Sequence, residues 1–246
     1  MSSLYRLSNL QIYTRRELNM IDRHHMKLNG IYRRYKKTVV PQKTIPQRNE
    51  SQKIIGAYHI ALFPGWQTIV DEQVIRLTRS GLLEITDHIL VGVVGTDKID
   101  SFMLKSRLAN KAILIKDNDL HRYEFITLEA LQNAALFEGD FLAWYIHTKG
   151  VSNGSEGARQ HRYQMEEIVI DKYRECLEML KTHDVCARDW TENGFGAYHP
   201  HSPGNFWWTK SWYLRKLPRV HTLNQSDRYE AEFWIGRSKP IVGIIR

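Results

Sequence analysis

Three short blocks of this chain hold residue types that chemistry needs. In the first, the apolar run Phe141 to Ile146 passes directly into His147, Thr148, Lys149 and Gly150. A rigid apolar strand that ends in an imidazole, a hydroxyl, a cation and a glycine holds those groups at a sheet edge, where α/β proteins take phosphorylated ligands. The Lys149 ammonium suits a phosphate as a point charge, His147 and Thr148 add hydrogen-bonding groups, and Gly150 lets backbone approach closely. The same residues also suit an ordinary strand exit with a solvated lysine. No Walker or dinucleotide glycine loop occurs.

The second block is Gly204-Asn205-Phe206-Trp207-Trp208, with Trp212 and Tyr213 just beyond. One helix cannot bury every ring, and rings left open would stack on sugars or bases. A core helix is the alternative, with Phe206, Trp207, Lys210 and Tyr213 on adjoining faces. Asn205 offers a helix cap, and His199 and His201 stand upstream as ligands or donors, or as structural histidines. In the third block, Tyr229 to Gly236, Glu230 and Glu232 alternate as on a strand and would share one side among aromatics. A partly desolvated carboxylate is a better proton acceptor, which suits a general base. The alternative is an acid paired with Arg228 or Arg237.

These blocks need a frame. The pattern predicts strands at Ile54–Ile60, His88–Val94, Ala112–Lys116, Phe141–Ile146 and Asp184–Arg188. Between them it predicts helices at Thr68–Ser80, stopped by Gly81, at Ile99–Leu108, at Thr127–Phe137 with Thr127 as cap, and a long one from about 157 to Lys181. Such alternation predicts a mainly parallel sheet covered by helices on both faces. Beyond Trp190 the alternation fails and aromatics, histidines and glycines become dense.

The net charge of +8 comes from residues 1–50, which hold eleven Lys and Arg against three Asp and Glu; the remainder balances at 24 of each. Residues 1–52 are expected to be a basic extension and linker, a solvated arm or a weak helix around Tyr13–Leu28, and 53–246 the folded domain. The arm suits an anionic membrane surface or a nucleic acid. Two cysteines, Cys176 and Cys186, make neither a disulfide framework nor a metal cluster. With no apolar run of membrane-spanning length and no secretory signal core, the expected location is cytoplasmic.

Tyr145-Ile146-His147-Thr148-Lys149-Gly150, Arg162-Tyr163-Gln164-Met165, Gly204 to Trp208 and Arg228 to Gly236, in that order, resemble a family of glycosyltransferases from bacteria and large DNA viruses. The resemblance covers residues 53 to 236. It implies a GT-A-like α/β fold that binds a nucleotide-sugar donor at the carboxyl edge of the sheet and passes its sugar to an acceptor hydroxyl on a glycan, lipid-linked or protein acceptor. It places the donor on Tyr58, His59, His147, Thr148, Lys149 and Gly150, and the acceptor or sugar on His201, Asn205, Trp207 and Trp208. Glu232 is the preferred base and Glu230 the second choice. Many such enzymes hold Mn or Mg through an Asp-x-Asp element at the strand end where this chain has His147-Thr148-Lys149. Lys149 would supply part of that charge, and Asp189 and the histidines near residue 200 are the remaining candidate ligands.

Two other functions compete. A nucleic-acid-binding protein would use the basic arm, but single-strand binders interleave aromatics with basic residues, and here the aromatics lie in the neutral domain. A non-catalytic carbohydrate-binding domain would need neither Lys149 nor Glu232.

Overall fold

A computed structural model describes residues 11–14, 52–97, 99–152 and 154–246. Its frame is an eight-stranded sheet in the described residues. The strands are β1 (Gln11–Thr14), β2 (Lys53–Ala61), β3 (His88–Val94), β4 (Ala112–Asp117), β5 (Phe141–His147), β6 (Val185–Ala187), β9 (Trp207–Lys210) and β10 (Val242–Ile244). The order is β1-β4-β3-β2-β5-β9-β6-β10. Every neighbouring pair is parallel except those of β9, which runs antiparallel between β5 and β6. A separate hairpin, β7 (Thr191–Gly194) with β8 (Ala197–His201), follows β6.

The helices are α1 (Trp66–Ser80), α2 (Leu82–Ile85), α3 (Ile99–Lys105), α4 (Phe125–Phe137), α5 (Glu156–Glu166), α6 (Tyr173–Met179), α7 (Ser211–Lys216) and α8 (Tyr229–Phe233). Two buried clusters show how they divide. Val70, Val74 and Leu77 of α1, with Met165, Val169, Tyr173 and Cys176 from the α5–α6 region, cover one sheet face. Leu128, Leu131 and Ala135 of α4, with Tyr213 and Leu214 of α7, cover the other. The expected fold class, an α/β domain with a mainly parallel sheet flanked by helices, is the one observed. Strands buried on both faces read as unbroken apolar runs, which is why β2, β3 and β5 were legible.

Several local expectations change. Trp207 and Trp208 lie on a strand, so their side chains alternate to opposite faces. Trp207 stacks on Tyr145 (centroids 4.9 Å, 15° between planes), while Trp208 faces the α5–α6 side and donates its indole N–H to Val169 O at 2.8 Å. The residues around Glu230 and Glu232 form a helix, not a strand. The long helix after Gly157 is broken by a π turn at Glu167–Asp171. Helix α4 starts at Phe125, and Thr127 is no cap: its Oγ1 lies 2.9 Å from His59 Nδ1. Within the basic extension, Gln11–Thr14 pairs parallel with β4 and covers its edge, as a β-branched and aromatic tetrapeptide favours. The rest of the helix expected around Tyr13–Leu28 lies outside the described residues. Cys176 and Cys186 are both free and buried.

Candidate functional site

The parallel strands β2, β5 and β6 end at one edge of the sheet. Because β9 runs the other way, the residues before it, Ser202 to Phe206, arrive at that same edge: Trp207 is paired with both Tyr145 and Ala187. The exits of β5 and β6 thus face the Gly204-Asn205 loop, and side chains far apart in sequence meet.

The β5 exit is held rigidly. Thr148 N donates to His59 O (3.1 Å), Ala61 N donates to Thr148 Oγ1 (3.1 Å), and Gln73 Nε2 donates to His147 O (3.1 Å). Gly150 sits at φ +85°, with α5 so close that a side chain there would press on Ala158 at 3.1 Å. His147 donates from Nε2 to Gly204 O at 2.9 Å. Burial, reinforced by the charge of Lys149, pushes its pKa down to about 3, so the ring is neutral. Its Nδ1 then carries no proton toward Glu124 Oε1, 3.8 Å away.

Gly204, at φ +88°, gives the loop its close approach: a Cβ there would lie 2.7 Å from Met165 Sδ and 3.2 Å from Lys149 Cε. Its N–H donates to the carboxylate of Glu232. Glu232 and Lys149 therefore flank the same backbone turn. Among the described residues Lys149 makes no salt bridge. Across from them stands His161 on α5. Its pKa is lowered by burial first and then by the charges of Lys149 and Arg188, while Asp189 and Glu232 pull the other way. One imidazole thus feels two cations and two carboxylates from three separate segments. Arg188 and Asp189, ion-paired with each other, also line a cleft of about 510 Å³ with Gln164, Glu167, Ile168 and Arg246.

Below this layer the other expected site residues are structural. Tyr58 is fully buried and donates its hydroxyl to Gln73 Oε1 at 2.5 Å. His59 is buried, and burial lowers its pKa to about 4. Asn205, held at φ +58°, donates to Glu124 Oε2 (2.6 Å) and accepts from Trp207 Nε1 (2.7 Å); Tyr145 donates to the same Glu124 oxygen at 2.7 Å. Trp207 and Trp208 have no exposed surface, so the expectation that they meet a sugar is corrected: both rings are spent on the two sheet faces. His201 is buried, with Nδ1 donating to His199 O at 2.6 Å. Glu230 is separated from Glu232 because two residues on a helix are about 200° apart. Its carboxylate pairs with Arg237. The Arg162 segment anchors the assembly from behind: buried Arg162 holds Glu72 (2.8 Å) and Glu166 (3.2 Å), and Glu166 also accepts from Gln73 at 2.7 Å.

The donor set here does not make a metal centre. The β5 exit carries no carboxylate, Asp189 is paired with Arg188, and among the described residues no group of three or more His, Cys, Asp or Glu is placed to hold an ion.

A family model described as a domain of unknown function (DUF8361) matches residues 63–231, more than half of the sequence. The chain belongs to this family. The match spans the β5 exit, the Gly204 loop and the α8 residues up to Ala231 of this DUF8361 member, and leaves residues 1–62 outside. No curated protein matches the sequence. Among solved structures, the chain is similar to a 4-diphosphocytidyl-2C-methyl-D-erythritol synthase at 12% identity and TM-score 0.45, covering 80% of this chain and 91% of that one. It is also similar to HddC from Yersinia pseudotuberculosis (12%, 0.46, 79% and 90%) and to S. aureus TarS 1–349 (9%, 0.41, 78% and 58%). Likeness at this level says nothing about chemistry, which rests on the site itself.

His161, Arg188 and Glu124 were missed as site residues from sequence. His161 directly precedes the Arg162-Tyr163-Gln164-Met165 motif, and that adjacency was the one local signal. Arg188 and Glu124 had none, since each joins the site only through the sheet order.

Proposed function

We propose that this protein is a nucleotide-sugar-dependent glycosyltransferase, with 53–246 as its catalytic domain. The observation that carries the proposal is the meeting of Lys149 and Glu232 at Gly204, with Arg188 at the neighbouring exit of β6, at the carboxyl edge of a parallel sheet. Such edges are where open α/β sheets take ligands. In this reading Lys149 and Arg188 hold the donor diphosphate by charge, and the rigid β5 exit needs no reorganisation as charge builds there. The bond from the sugar C1 to the diphosphate oxygen breaks, and its electron pair leaves with the nucleoside diphosphate. The acceptor oxygen forms the new bond to C1 and its proton passes to Glu232, whose Oε1 is engaged by Gly204 N–H and whose Oε2 serves as base.

Among the described residues no helix is long and apolar enough to cross a membrane. We place the reaction in the cytoplasm, with the basic residues of 1–52 drawing the enzyme to anionic membranes that carry lipid-linked acceptors.

Two experiments test the proposal. Thermal shift with a panel of nucleoside diphosphates, with and without manganese, should raise the melting temperature for at least one of them, because a ligand of the native state stabilises it. With the matching donor, Glu232→Gln should fold and bind donor yet lose about 10²- to 10⁴-fold in transfer, whereas Glu230→Gln should stay within a few-fold. Release of pyrophosphate instead of a nucleoside diphosphate would make the chemistry nucleotidyl transfer and overturn the proposal, as would full activity of Glu232→Gln.

A further inference from the structure

Two hydrogen-bond acceptors face each other at the carboxyl edge, and neither can donate to the other. They are His147 Nδ1 and Glu124 Oε1, 3.8 Å apart. The protonation of the imidazole follows from its other nitrogen: a carbonyl only accepts, so Nε2 carries the hydrogen that it gives to Gly204 O at 2.9 Å. Nδ1 of the neutral ring is then a lone pair, and burial together with the charge of Lys149 keeps the ring neutral. The carboxylate is divided in the same way. Its Oε2 is occupied twice, by the Tyr145 hydroxyl at 2.7 Å and by Asn205 Nδ2 at 2.6 Å, whereas Oε1 receives no donor from the described residues.

Both groups are fixed from behind. Glu124 stands at the N-cap position of α4, yet its side chain does not cap that helix and reaches β5 and the Asn205 loop instead. Asn205 is itself clamped, accepting from Trp207 Nε1 at 2.7 Å. The His147 ring lies 5.1 Å from that of Phe206 between centroids, and on β5 it stands in register with His59 of β2. The His147 and Glu124 side chains remain 15% and 19% exposed, so a ligand at the sheet edge can reach them. Acceptors fixed in this way need no reorganisation when a donor arrives.

We propose that His147 Nδ1 and Glu124 Oε1 form a paired acceptor subsite for two neighbouring hydroxyls of a sugar ring, each hydroxyl giving its hydrogen to one of the two atoms. Other groups fit worse. Ionised phosphate oxygens have no hydrogen to give and are repelled by the carboxylate. An ammonium would meet the charge of Lys149, which already acts on this imidazole. A lone alcohol has one hydrogen and leaves the second acceptor unmet, which costs binding; a vicinal diol has two. Lys149 follows His147 by two residues, so a nucleotide-sugar whose diphosphate rests on Lys149 brings such diols close by, in its ribose and in its transferred sugar. That the diol belongs to a nucleotide-sugar rests on the transferase reading above.

Calorimetry with the full chain tests the subsite, using UDP, GDP and CDP, their 2′-deoxy forms, and UDP-glucose, UDP-galactose and GDP-mannose; free D-ribose and D-glucose are followed by saturation-transfer NMR. If the ribose supplies the diol, the 2′-deoxy form should bind at least about tenfold more weakly. If the transferred sugar supplies it, the nucleotide-sugar should bind at least about tenfold more tightly than its nucleoside diphosphate. Glu124→Gln keeps an oxygen for Tyr145 and Asn205 and turns an N–H toward His147 Nδ1, so it should hold the parent melting temperature and abolish either difference. His147→Gln keeps a donor for Gly204 O and removes the Nδ1 acceptor, and should do the same where Glu124→Gln fails to fold. No discrimination by the parent protein, discrimination that survives both variants, or equal weakening of every ligand by them would each overturn the subsite. Nucleotide binding that needs Lys149 but ignores every diol would leave the transferase reading standing without it. Binding of free sugars that Glu124→Gln abolishes, with no response to any nucleotide, would do the reverse. Silence toward every ligand would overturn both.

Discussion

The chain has two dense groups of aromatic rings with opposite fates. Trp207 and Trp208 are spaced as strand neighbours in the middle of the sheet, and each is buried completely on its own face. Phe195 and Tyr198 sit on a two-stranded flap with no layer above it, and both stay open to solvent. Residue type does not separate the groups; the number of covered faces does. A strand between β5 and β6 is packed from both sides by helices, so its rings become structure. A hairpin outside the main sheet is packed on one side only, so its rings remain exposed.

This contrast fails most visibly if the buried pair is dispensable. Trp208→Ala should destabilise the fold by about 3–5 kcal/mol, the usual result of emptying a large core site, or prevent folding altogether; denaturant unfolding reads it. A smaller effect would mean that the ring is not part of the packed core.

The edge beneath the site supplies the next test. His59 is buried with a pKa lowered from 6.5 to about 4. Below pH 6.5 the unfolded chain takes up a proton that the folded chain refuses, so this part of the stability is complete above 6.5 and is lost as pH falls through 6.5 toward 4. The window amounts to on the order of 3 kcal/mol. Unfolding free energies between pH 7 and 4 should fall more steeply for the parent protein than for His59→Gln. Parallel slopes would show that this histidine is solvated.

Lys149→Ala should weaken nucleoside-diphosphate binding by about 1.5–3 kcal/mol, the worth of a charge-assisted hydrogen bond, and leave nucleoside binding nearly untouched. Calorimetry with the two ligands decides between a phosphate contact and a general disturbance of the edge, which would weaken both. The smallest effect belongs to the flap: Phe195→Ala should change stability by no more than about 0.5 kcal/mol, as an exposed side chain should. A gain would fit relief of the positive φ of Phe195 only if Phe195→Gly gains further.

What the sequence settled by itself follows from continuous local signals. Buried parallel strands must be apolar runs, so β2, β3 and β5 declared themselves, and the abrupt change from Ile146 to His147, Thr148 and Lys149 marked where a strand meets the sheet edge. Helix α1 showed its apolar spacing and its Gly81 stop. The tertiary structure decided the rest, because its signals are short or distant. Five residues of α8 are too few for a helical period to stand out, so Glu230 and Glu232 mimicked strand alternation and only the observed helix turned them to different partners. Trp207 and Trp208 announced burial or stacking equally well until β9 was placed between two strands. Lys149, His161, Arg188 and Glu232 lie on four segments whose meeting depends on β9 running against its neighbours, and no local pattern encodes the direction in which a strand enters a sheet.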